Sequence, residues 1–68
     1  YHIVEVDHQQ KMSVNKAKIG KYRKMLELGV FKTPPVFIWM TTTEYKKKQI
    51  IELSEGMDVR VFLVSQFH

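Results

Sequence analysis

The sequence contains no cysteine, so disulfide stapling and thiolate metal sites are both excluded. Long hydrophobic runs are missing too. The longest, Val36 to Met40 and Val61 to Val64, fall far short of the roughly 20 residues that a membrane-spanning helix requires. No signal-peptide pattern is visible. From these features we expect a cytoplasmic protein without a membrane role. Its three glycines stand apart, which leaves no Gly-rich phosphate loop, and no serine–histidine–acid arrangement stands out. At 68 residues there is room for one domain at most, and so short a chain buries too little surface for a wide stability margin. A first residue of Tyr1, with Ile3 already inside a strand-like run, leads us to expect that residues 1–68 are one domain cut from a larger protein.

Positive charge is present in excess, and it is unevenly placed. The net charge is +4. Residues 1–32 carry seven Lys and Arg against three Asp and Glu, whereas the remainder carries four of each. A one-sided basic field favours polyanionic partners such as DNA, although a merely solvated helix face gives the same pattern.

Hydrophobic periodicity divides the chain into five elements. Tyr1 to His8 alternates with period two, setting Ile3, Glu5 and Asp7 on one face and Val4, Val6 and His8 on the other. Ser13 can cap a helix over Val14–Leu28, which Gly29 and the Pro34-Pro35 pair terminate. Val36 to Met40 is apolar at every position, as in the middle strand of a parallel sheet. Thr41 and Glu44 have capping-box spacing ahead of a helix over Thr43–Glu55, closed by Gly56. Val59 to Val64 is a third strand. The expected fold is therefore α/β: a three-stranded parallel β-α-β-α-β sheet, strand order 1-2-3, with both helices on one face. The opposite face would be bare yet apolar, to be covered by a further segment or, as a homodimer, by a second copy.

Three residues are candidates for chemistry. Glu5 and Asp7 lie on the same side of one strand, about 6.6 Å apart, near its carboxyl end where open α/β sheets place their sites. Two such carboxylates can share magnesium, or they can be ordinary solvated acids. No cofactor is otherwise required. Lys18 falls in the middle of a stripe formed by Val14, Tyr22 and Met25, with Ile19 and Leu26 on one flank. Either its stem snorkels along the helix, or its ammonium approaches Glu5 or Asp7 as an ion-pair partner or catalytic cation. Lys16, Lys21 and Lys24 lie to the side or behind, placed for phosphate contacts. Lys46 and Lys47, with Lys48, open the second helix, where the helix dipole disfavours cations unless a phosphate is bound. Tyr45 can add stacking, whereas Trp39 belongs to the core.

The strand Ile3-Val4-Glu5-Val6-Asp7, the loop with Met12, Lys18-Ile19 and Tyr22 on a helix, and Pro35-Val36-Phe37-Ile38-Trp39-Met40-Thr41 with Glu44 beyond it form one string. That string resembles the carboxyl-terminal part of the replication-relaxation family of plasmid and integrative-element proteins. The resemblance implies a restriction-endonuclease-like core, preceded in full-length members by a winged-helix DNA-binding region. It also implies a site in which a strand acid joins an acid-x-lysine pair to bind magnesium and activate water. On that pattern Glu5 is the strand acid and Asp7 stands where the lysine is expected. Lys18 would be a lysine displaced onto the following helix. No acidic strand precedes Glu5 in this sequence. The expected function is DNA handling in plasmid or mobile-element replication or relaxation, with Glu5, Asp7 and Lys18 as a degenerate or incomplete site. The alternatives are an interaction module without a nucleic-acid role, and a magnesium-dependent nuclease when joined to the rest of a longer protein.

Overall fold

The computed structural model describes residues 1–64. Its elements run β1 (His2–Val6), α1 (Met12–Glu27), β2 (Val36–Thr41), α2 (Glu44–Leu53) and β3 (Val59–Leu63). The sheet is parallel throughout, in the order β1-β2-β3. This is the expected α/β architecture, with β2 in the centre.

Both helices lie on one face, because Ile19 of α1 and Ile50 of α2 meet the same side of Trp39 to form the buried core. Met12, Tyr22, Leu53, Met57, Val59 and Val61 pack around them. Phe37, two residues before Trp39 and on the same side, is also completely buried. Tyr22 joins the two aromatics, its ring 4.8 Å from Phe37 and edge-on to Trp39 at 6.3 Å. Removing one such aromatic would cost about 3–5 kcal/mol. That is comparable with the whole stability of a domain this small.

Helix termini differ from expectation in instructive ways. α1 begins one residue ahead of Ser13, with Lys11 at the cap position and no side-chain cap bond, so Ser13 is an ordinary first-turn residue. At the other end, Gly29 takes φ +69°. Its N–H donates to Leu26 O at 3.2 Å and that of Val30 to Met25 O at 3.1 Å, the paired closure that a left-handed glycine permits. α2 is capped by Thr43, whose Oγ1 accepts from Lys46 N–H at 3.2 Å. Thr41, expected in that role, is instead the last residue of β2. It continues the Phe37–Trp39 alternation, so its side chain faces the helices.

Candidate functional site

The carboxyl ends of β1 and β2 bring the polar residues together. Glu5 is level with Trp39 in the β1–β2 ladder. Asp7 lies just past the end of β1, held by its own N–H to Met40 O at 2.7 Å. The strand pleat points both carboxylates toward α1, and each finds different partners.

Glu5 is the more open of the two. Lys18 Nζ donates to its Oε2 at 2.9 Å, and Tyr22 Oη donates to Oε1 in a short hydrogen bond. Lys18 and Tyr22 lie one helical turn apart, so both reach the same acid. Burial alone would raise the Glu5 pKa, but the hydrogen bonds from Tyr22 and Lys18 outweigh it and hold the carboxyl below its ordinary value. The Tyr22 phenol is pushed up to about 12, first by burial and then by the carboxylate it donates to.

Asp7 is completely buried. Its Oδ2 accepts from Asn15 Nδ2 at 3.1 Å and from Thr41 Oγ1 at 2.9 Å, while Oδ1 faces Lys46 Nζ at 3.3 Å. Lys46 also donates to the carbonyl of Gln10, and Asn15 Oδ1 accepts from Trp39 Nε1 at 3.1 Å and from Gln10. Among the described residues no buried side-chain polar atom is left without a partner. The network ties three elements and the β1–α1 loop, where Gln9 takes φ +64°, into one unit.

Lys18 thus meets Glu5, and Asp7 is met by a different lysine. The buried side of α1 centres on Asn15 and Ile19, with Val14 39% exposed, so Lys18 lies on the flank of the apolar stripe rather than in its middle. The physical reason is Asn15. Its amide pairs with Asp7 and Trp39, which makes a polar residue the centre of the buried arc. Lys46, expected to contact phosphate, is turned inward onto Asp7 and Gln10 with only 19% of its side chain exposed. Lys16, Lys21 and Lys24 are exposed on the outer arc of α1, and Tyr45 is exposed on α2. Trp39 is in the core as expected.

Magnesium between Glu5 and Asp7 does not suit this arrangement, since all four carboxylate oxygens already accept from donors and an ion would have to displace lysines. Among the described residues no group of three or more His, Asp or Glu is clustered for a metal, and no helix is long and apolar enough to cross a membrane. Asn15, Thr41 and Gln10 were missed as site residues. The available signal was phase: Asn15 is four residues before Ile19 and seven before Tyr22, and Thr41 follows Phe37 and Trp39 in alternation.

No family model, curated protein or solved structure gives a significant match to the chain.

Proposed function

We propose that this chain is a DNA-handling domain with a nuclease-like core, of the replication-relaxation kind associated with plasmids and mobile elements. It holds DNA through the phosphate backbone and carries a degenerate acid–lysine site. One juxtaposition supports the reading: Lys18, reaching from α1, sits 2.9 Å from the strand acid Glu5 at the carboxyl end of the sheet. Beside it, Lys16, Lys21 and Lys24 face outward on the same helix. Among the described residues the ion pairs are Lys18–Glu5 and Lys46–Asp7, which leaves these three cations to water or to phosphate. Fully paired carboxylates favour binding over cleavage.

Three phosphate contacts give a slope of log affinity against log salt of about −2.7, so binding of a DNA duplex should weaken roughly 100-fold between about 50 and 300 mM salt. Fluorescence anisotropy of a labelled duplex measures this. Retention that changes less than about threefold over that range would count against the proposal.

A further inference from the structure

Among the described residues β3 is an edge strand, paired with β2 alone. Two bonds give the phase of that ladder: Phe37 N–H donates to Asp58 O at 2.9 Å, and Val64 N–H to Thr41 O at 2.7 Å. Asp58, Arg60, Phe62 and Val64 therefore turn their backbone groups toward β2, whereas Val59, Val61 and Leu63 turn theirs toward the open edge. The Val59 N–H is closed by Met57 O at 3.1 Å. That leaves the Val59 carbonyl and both groups of Val61 and of Leu63 facing outward. The side chains of these three share the helical side of the sheet, because Val59 and Val61 pack around the core and Leu63 is level with the inward-facing Thr41. Leu63 is nevertheless 43% exposed. At the other end of the strand lies a cavity of about 410 Å³, lined by Ile51, Met57 and Val59, with Glu52, Ser54 and Glu55 also on its wall. Ile51 is 51% exposed. It sits about 140° around α2 from Lys46, which reaches the β1–α1 loop, so the cavity opens beside β3 rather than toward α1.

We infer that two copies of the chain join edge to edge through β3, antiparallel, about a two-fold axis that passes through the sheet at Val61. Val61 then exchanges two bonds with Val61 of the second copy, and each Leu63 N–H donates to the Val59 carbonyl of the other. In that register Val59 lies opposite Leu63 on the same side of the sheet, so each exposed leucine enters the other copy's cavity between Val59 and Ile51. The protruding side chain and the cavity are four residues apart on one strand, and pairing centred on Val61 brings them together twice. On the other side of the sheet Arg60 lies opposite Phe62, so no two like charges meet.

The two edges of the sheet differ in a way that selects β3. Edge strands are ordinarily blunted by proline, by a bulge or by a charge pointing inward. β1 carries Glu5 on its helical side, with Asp7 just past its end, whereas the helical side of β3 is apolar throughout. A union of β3 with β1 would run head to tail and stay open-ended, whereas β3 with β3 closes into one six-stranded sheet. α2 packs over β2 and β3 through Ile50, so the two α2 helices come to lie about 10 Å apart, the spacing of packed helices, and Ile51 is covered. α1 lies over β1 and β2, away from this edge, so association and DNA binding are separable.

The chain has no cysteine, so introduced thiols report the register directly. Arg60 and Phe62 of the second copy form a pair outside the hydrogen bonds, their Cα atoms about 4.5 Å apart and within disulfide reach. An equal mixture of Arg60→Cys and Phe62→Cys chains in a glutathione redox buffer should yield the mixed disulfide at least about tenfold over either like pair, where random collision gives about twofold. Sedimentation equilibrium of the full chain from about 10 µM to about 1 mM should show a reversible monomer–dimer equilibrium. Val61→Pro removes an N–H that faces the edge, so circular dichroism should show the fold intact while the dimer Kd rises at least about 100-fold. Leu63→Ala, which empties both cavities, should raise it at least about tenfold. A chain that stays monomeric at the highest concentration overturns the inference. So does a folded Val61→Pro or Leu63→Ala chain that dimerises as wild type does, or a mixed disulfide in the random ratio. If Val61→Pro fails to fold, the disulfide ratio decides.

Discussion

Glu5 and Asp7 are two residues apart on one face of one strand, yet the fold treats them oppositely. Asp7 is sealed beneath the β1–α1 loop by Asn15, Thr41 and Lys46, whereas Glu5 keeps part of its surface in water and is met by Lys18 and Tyr22 from the rim of α1. The difference teaches where a role in binding can reside. A buried, fully bonded carboxylate specifies a structure, and its loss is felt as instability. A partly exposed acid with a partly exposed lysine beside it can exchange partners at lower cost, which suits a surface that meets phosphate.

Removing Asp7 should give the largest effect. Asp7→Ala leaves Lys46, Asn15 and Thr41 without their shared acceptor, a loss of about 3–5 kcal/mol, enough to unfold most of the chain. Urea denaturation followed by circular dichroism measures it, and a loss below about 1 kcal/mol would show that the sealed network is not structural. Asn15→Ala comes next, at about 1–3 kcal/mol, because Trp39 Nε1 and the Asp7 carboxylate each lose a partner inside the core. Its check is the same urea midpoint, together with a change in Trp39 fluorescence.

Glu5 should matter far less to folding. Glu5→Gln breaks a pair in which Lys18 is 37% exposed, so the expected cost is below about 1 kcal/mol. The pH dependence follows from the direction of the shift. Because the folded carboxyl titrates below its ordinary 4.5, the stability from this contact is present above that value. It is lost as pH falls through the folded pKa. Glu5→Gln should remove this acid limb, and urea midpoints taken at about pH 6 and about pH 3 would show it. Tyr22 behaves as the mirror image. Its contribution is complete below pH 10 and is lost as pH rises through about 12. In Glu5→Gln, the tyrosinate absorbance of Tyr22 should appear closer to pH 10.

Much of the fold was legible in the sequence. Alternation in Ile3–Asp7, the all-apolar run from Val36 and the stops at Gly29 and Gly56 specify three strands and two helices. The two-fold repeat of strand and helix then implies parallel order with β2 in the centre. The Lys18–Glu5 contact was legible only as one of the open readings, beside snorkelling and a contact with Asp7, and Lys18 makes it from the flank of the buried arc rather than from its centre. The polar heart of the site was not legible. Asn15 resembles a surface residue until Asp7 and Trp39 are seen to lie against it, and those contacts span 8 and 24 residues. Lys46 likewise looks like one of three equivalent surface lysines. Only the β1–α1 loop, which offers the Gln10 carbonyl and the Asp7 carboxylate as acceptors, turns it inward.

The sharpest test contrasts wild type with Glu5→Gln in DNA binding across a salt series. The account predicts that neutralising Glu5 releases Lys18 to a phosphate and removes a repelling charge. Affinity should then rise, and the slope of log affinity against log salt should steepen by about 0.9, one added contact. An unchanged or shallower slope, with affinity equal to or below that of wild type, would show that Lys18 and Glu5 do not face DNA at all.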